Sequence, residues 1–245
     1  MHLLKINNED RHVEILDGDI TPQIYNLLTL DKTAVQVDVE LNRDLNYITG
    51  KLCLIQLQKS QAISNDKVTY LVKYNIEEPC DSPYLAKLFE HRSVPKLFHY
   101  GKVDLCFIAY NLNCKPRNIL CTKVASKILR GQGDDVKHNL DVLCKEFLGI
   151  QLDKGEQLSD WTQKELTPSQ IKYAALDVEY LSDLFKLIAT HNLDLYEVIM
   201  DNCKFYETLI DNIINQRNPL NNFPQGLWNV NQEHCINTTT LFEYQ

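Results

Sequence analysis

The sequence is poor in residues that interrupt regular structure. Glycine and proline occur only 8 times each among 245 residues, which excludes a low-complexity or disordered chain. It has no C-x-x-C pair. Its eight cysteines (Cys53, Cys80, Cys106, Cys114, Cys121, Cys144, Cys203 and Cys235) have no nearby histidine that completes a zinc pattern. Several sit in apolar runs, as Cys53 does in Lys51-Leu52-Cys53-Leu54-Ile55, where a thiol behaves as a small hydrophobe. They read as reduced thiols, so a cytoplasmic location is expected. No apolar run is long enough to cross a bilayer, and Met1-His2-Leu3-Leu4-Lys5 lacks the apolar core of a secretion signal. No membrane partner is expected. Positive charge is also short, with 25 Lys and Arg against 33 Asp and Glu and a formal charge of −8. That counts against phosphate binding, which rests on Lys and Arg, unless some of the acids are neutralised by metal ions.

What remains is an ordinary globular composition. Apolar residues make up 44% and charged residues 24%, enough for one α/β domain with a real core and a small appendage. The basic residues are unevenly spread. Lys96, Lys102, Lys115, Arg117, Lys123, Lys127, Arg130 and Lys137 fall in a stretch with few acids, which reads either as a solvated face or as a phosphate-binding one.

Residues Ala34 to Glu40 alternate, with Val35, Val37 and Val39 on one face and Gln36, Asp38 and Glu40 on the other, the pattern of a strand. A turn over Asn42 to Gly50 leads to strands over Lys51 to Gln58 and Val68 to Tyr74. Short connections between the three imply an antiparallel meander. Ser82 to His91 reads as a helix with Pro83 in its first turn, and Lys96 to Tyr100 as a short strand leading into a helix from Val103 to Leu112. Further helices are expected over Cys121 to Leu129 and over His138 to Leu148, the latter closed by Gly149. Thr167-Pro168-Ser169-Gln170 is a helix start with a capping box, and that helix is expected to run to about Leu187. Strands followed by mixed strands and helices imply a sheet covered by helices. Past Met200 the pattern weakens. Asn218 to Gln245 reads as an irregular tail packed on the domain, anchored by Leu227, Trp228 and Phe242.

Asp38 and Glu40 share one face of a strand, and two such carboxylates repel unless something positive lies between them. A hard divalent cation is the natural solution; a solvent-facing strand edge is the bland one. Tyr173 and Asp177, four apart on the capped helix, are neighbours on its surface. Asp104 opens a helix, where an acid also complements the dipole. Each signal is weak alone, but their order is informative.

An acidic pair on a first strand, an acid opening a middle helix, and Tyr-x-x-x-Asp on a late helix together resemble the DEDDy 3′→5′ exonuclease superfamily. Val37-Asp38-Val39-Glu40 with Gly50-Lys51-Leu52-Cys53-Leu54-Ile55-Gln56-Leu57 is similar to the first motif of the ribonuclease D family. Lys96-Leu97-Phe98-His99-Tyr100 leading to Asp104 is similar to its second. Cys121-Thr122-Lys123-Val124-Ala125-Ser126, His138 to Gly149, Ser159-Asp160-Trp161, Leu166-Thr167-Pro168 and Tyr173-Ala174-Ala175-Leu176-Asp177-Val178 extend the likeness over residues 30 to 190. Val39 stands where the family often has Thr, on the face away from the acids. The helical nucleic-acid-binding HRDC modules of full-length ribonuclease D are not expected in a chain of this length.

The resemblance implies an α/β, RNase H-like exonuclease fold, a mixed central sheet flanked by helices. The exonuclease domain would span residues 1–205, and residues 206–245 would form a helix end and tail packed on it. It implies two divalent ions, Mg²⁺ or Mn²⁺, and no small-molecule cofactor. Asp38 would bridge both ions, Glu40 and Asp177 would complete the first site, and Asp104 would support the second. Tyr173 would orient the attacking water, its phenol being a poor base as it stands. The implied partner is RNA with a free 3′ end, a tRNA precursor for example, released as nucleoside 5′-monophosphates. The oligomeric state stays open. His99, Lys123, Lys127 and Arg130 are candidate substrate contacts, and Trp161 reads as core. Two alternatives stand beside this reading: a DNA exonuclease with the same acids, and an inactive nucleic-acid-binding protein on the same fold. The second would usually have lost an acid, and all four are present here.

Overall fold

The computed structural model describes residues 2–6, 9–60, 67–74, 81–133, 135–190 and 193–216. Its strands are β1 (His2–Ile6), β2 (Glu9–Asp17), β3 (Val35–Leu41), β4 (Leu52–Lys59), β5 (Val68–Lys73), β6 (Lys96–Phe98) and β7 (Ile119–Cys121). They form one mixed sheet in the order β1-β2-β5-β4-β3-β6-β7. The expected meander is present, with β3 against β4 and β4 against β5 antiparallel. The outer pairs β2/β5, β3/β6 and β6/β7 are parallel. Parallel neighbours need crossover connections, and helices supply them.

Those helices are α1 (Pro22–Thr29), α2 (Pro83–Glu90), α3 (Lys102–Leu112), α4 (Thr122–Arg130), α5 (Leu140–Leu143), α6 (Pro168–Glu179), α7 (Leu181–Ala189), α8 (Leu193–Cys203) and α9 (Phe205–Gln216). Val35, Val37 and Val39 point into the main core, where they join Ile55, Leu57, Leu88, Phe98, Phe107, Leu184 and Ile210. The other sheet face packs Leu54 and Leu71 against Trp161, Ile171, Ala174 and Ala175. Helix α6 therefore lies directly over the face that carries Asp38 and Glu40.

Several elements depart from the sequence reading. Strands β1 and β2 and helix α1 are added to it. Cys121 ends a strand rather than starting a helix. Helix α5 continues as a single π-helical turn, Cys144–Leu148, and Gly149 ends it at φ 70° as expected. The long last helix is two, broken at Tyr180; the break frees the Ser182 N–H to donate to Gln36 Oε1 at 2.6 Å. Past Met200 the chain stays helical, and α9 buries Tyr206, Ile210 and Ile213 in the main core. Helix α9 is thus packed on that core through Tyr206, Leu209, Ile210 and Ile213, and the expected tail beyond it, with Leu227, Trp228 and Phe242, lies outside the described residues.

The basic run is not one solvated face. Lys96 is fully buried, its ammonium donating to the carbonyls of His91 at 2.7 Å and Val94 at 2.9 Å. Arg117 pairs with Asp211 at 2.8 Å and Arg130 with Glu146 at 2.9 Å. Among the described residues, Cys53, Cys106, Cys114, Cys121, Cys144 and Cys203 are free thiols, and no helix is long and apolar enough to cross a membrane.

Candidate metal centre

Asp38 and Glu40 reach the site from β3, whose pleat puts both on the α6 side. The ladder with β4 shifts register between Glu40 and Leu41, and the loop that follows turns tightly at Gly50. A Cβ there would stand 2.2 Å from the Asp44 carbonyl and 2.9 Å from the Phe107 ring, so only glycine fits. Tyr173 and Asp177 come from α6, one turn apart. Its start is fixed by the expected capping box: Thr167 accepts from the Gln170 N–H at 3.2 Å, and Gln170 Oε1 accepts from the Thr167 N–H at 2.9 Å. The Gln170 amide also donates to Ser159 at 2.7 Å and to the Asp160 carbonyl at 3.0 Å. It thereby ties down the loop that carries Trp161, whose ring lies 6.0 Å from that of Tyr173.

Asp38, Glu40 and Asp177 each present a carboxylate oxygen, and the three atoms lie within 4.8 Å of one another. Asp104, in the first turn of α3, stands outside that trio but close enough to feel Asp38. Burial, opposed only by the Val39 N–H, pushes Asp38 up to about 7. Burial and then the charges of Asp38, Asp177 and Asp104 hold Glu40 well above the usual carboxylate range. Burial and then the Asp38 charge do the same for Asp104 and for Asp177. Burial, followed by the charges of Asp177, Glu40 and Asp38, raises the Tyr173 phenol. Its hydrogen bond with Asp177 leaves that carboxylate better satisfied.

So strong a mutual repulsion in a half-buried site calls for positive charge. The donor set is all hard oxygen, the kind that Mg²⁺ and Mn²⁺ take. The residues present therefore fit a divalent ion, with Asp38, Glu40 and Asp177 as candidate ligands and Asp104 beside them.

Sequence reasoning passed over Gln56. It is fully buried on β4 opposite Asp38, and its amide donates to Glu40 Oε1 at 3.0 Å. The signal was available: Gln56 and Gln58 are polar residues two apart in the otherwise apolar Leu52-Cys53-Leu54-Ile55-Gln56-Leu57-Gln58. The remaining candidates make contacts of their own. His99 sits with Nδ1 2.8 Å from Thr122 Oγ1, and burial, then the Lys123 charge, pushes it down to about 3, so it is neutral at ordinary pH. Lys123 lies over the Tyr100 ring, 3.5 Å from its centroid.

The 3′-5′ exonuclease family matches residues 13–191. Ribonuclease D of Sphingobium indicum is 34% identical over 178 residues, 66% of this chain and 42% of that protein. The chain thus spans less than half the length of that relative. Brucella melitensis NrnC bound to pGG is 27% identical, with a TM-score of 0.70 over 88% of this chain and 100% of that one, and NrnC is also known with bound Mg²⁺. Escherichia coli RNase D shares the fold at a TM-score of 0.63 and 22% identity, over 81% of this chain and 50% of that one.

Proposed function

Because this chain belongs to the 3′-5′ exonuclease family, we propose that it is a metal-dependent 3′→5′ exoribonuclease that releases nucleoside 5′-monophosphates from RNA ends. The observation that carries the reading is the trio of oxygens from Asp38, Glu40 and Asp177 within 4.8 Å of one another. Two divalent ions, held by Asp38, Glu40, Asp177 and Asp104, would activate water and offset charge on the phosphate. The chain's own residues set the frame for that step. Gln56 fixes the Glu40 carboxylate. Tyr173, with its phenol proton held firmly beside Asp177, donates a hydrogen bond rather than acting as a base. The α6 cap and Trp161 keep Tyr173 facing the acids. RNA as substrate is supported by the ribonuclease D likeness, and a cytoplasmic setting by the free thiols.

A second reading of substrate length is favoured by one observation. The chain is similar, at 27% identity and over the whole of that chain, to NrnC bound to pGG. On that reading the enzyme consumes short oligonucleotides rather than trimming long precursors.

The test is incubation of end-labelled RNA and of pGG with and without Mg²⁺ or Mn²⁺. Metal-dependent appearance of 5′-mononucleotides, lost in Asp38→Ala while the circular dichroism spectrum is kept, is expected. Full activity in Asp38→Ala, or products ending in 3′-phosphate, would overturn it.

A further inference from the structure

A cleft of 790 Å³ opens beside the acidic site, lined among others by Asp17, Asn42, Lys51, Lys73, Trp161 and Lys164. Its residues come from three separate places. Asn42 and Lys51 flank the β3–β4 loop, Lys73 and Asp17 end β5 and β2, and Trp161 and Lys164 belong to the loop before α6. It lies near the metal centre. Asn42 is two residues beyond Glu40, the Trp161 ring is 6.0 Å from that of Tyr173, and Cys53, another lining residue, feels the Glu40 charge.

The charge of this cleft runs against that of the molecule. Three lysines face one aspartate there, on a chain whose formal charge is −8. Lys73 is committed: its ammonium donates to the Lys164 carbonyl and lies 3.7 Å from Asp17, so it braces the wall. Lys51 and Lys164 are exposed, and among the described residues neither ammonium has an ion pair or hydrogen bond. Two lysines with no partner among the described residues, in a cleft beside the acidic site, suit an anion, and the anion available there is the substrate's own backbone.

We propose that this cleft is a backbone subsite, in which Lys51 and Lys164 hold a phosphate of single-stranded RNA away from the end being cleaved. The proposal rests on the exoribonuclease reading in its long-substrate form and is opposed to the short-oligonucleotide one. A free mononucleotide product carries the same phosphate chemistry, so the experiment must separate the two.

The test uses Lys51→Glu/Lys164→Glu, both surface changes. Michaelis constants are measured on a single-stranded RNA and on pGG, and GMP is titrated as an inhibitor. Expected is a KM about tenfold higher on the long RNA with kcat kept, and no change on pGG or in GMP inhibition. The dependence of log affinity on log salt should flatten by about 0.7 for the one lost phosphate contact. An unchanged KM on long RNA overturns the subsite. Equal increases on both substrates, or weakened GMP inhibition alone, would place a nucleotide rather than distant backbone in the cleft and overturn it as well. Binding of labelled RNA in an Asp38→Asn background, read by fluorescence anisotropy, keeps the two ideas apart. Lysine-dependent binding without hydrolysis by the wild type sinks the exonuclease reading but not the cleft; lysine-independent binding sinks the cleft alone.

Discussion

Gln56 and Glu40 are joined across the β3–β4 ladder by a 3.0 Å hydrogen bond, while Gln56 Oε1, also buried, has no partner among the described residues. An unpaired buried amide oxygen costs about 1–3 kcal/mol, so the residue is poorly explained by stability. It is well explained as a brace that fixes the direction of a ligand carboxylate.

Gln56→Met is therefore expected to separate metal binding from folding. Loss of a group that orients a ligand weakens metal affinity about tenfold to a hundredfold. Removing the unpaired oxygen with the donor keeps the stability change within about 1 kcal/mol. Mn²⁺ titration calorimetry and thermal unfolding without metal measure the two. Unchanged Mn²⁺ affinity would show that Glu40 needs no brace.

Tyr173→Phe should act on the reaction and not on the ions. The phenol is raised by burial and by three carboxylates, which suits a donor that orients water. Its removal should lower kcat about a hundredfold, the lower end of such effects, with Mn²⁺ affinity kept. The ring that packs on Trp161 is retained, so the fold should hold. A collapse of metal affinity would make Tyr173 a structural prop of Asp177.

The β3–β4–β5 meander, the α6 cap and the pairings of Asp38 with Glu40 and of Tyr173 with Asp177 were legible because each is written locally. Alternation marks β3, Thr167 and Gln170 mark the helix start, and Asp38 and Glu40 share a face by pleat alone. What the sequence hid depends on distant partners. Strand β2 reads as charged, yet Arg11 on it is bound 2.8 Å from Glu179, 168 residues away. Lys96 looked like part of a basic surface, but carbonyls outside its strand accept its hydrogen bonds. Helices α8 and α9 carry enough Asp and Asn to look irregular until α3 and β7 supply a core for them.

Glu179 is the hub of the network that holds α6 on the sheet. It accepts from Arg11 at 2.8 Å, Lys67 at 3.2 Å and Gln58 at 2.7 Å, and Gln58 in turn accepts from Gln36 at 2.8 Å. Glu179→Ala leaves these cations and the amide partly buried without their acceptor, which should destabilise the protein by about 3–5 kcal/mol. Asp177 lies two residues earlier, so Mn²⁺ affinity should fall as well at temperatures where the variant is still folded. A loss below about 1 kcal/mol in urea unfolding would mean that water already shares this network.

The buried Lys96 supplies a pH test away from the site. Burial pushes its ammonium down from 10.5 to about 7, so between those values the folded protein binds fewer protons than the unfolded chain. Stability must then rise with pH across that window, and this contribution is absent below about 7. Lys96→Met cannot titrate, and the other groups titrate alike in both proteins. The wild type should therefore gain on the variant by more than about 1 kcal/mol between about pH 7 and about pH 9. Urea unfolding of both proteins across that range measures the gap. A constant gap would mean that Lys96 keeps its proton in the fold, its two carbonyl partners outweighing the loss of water.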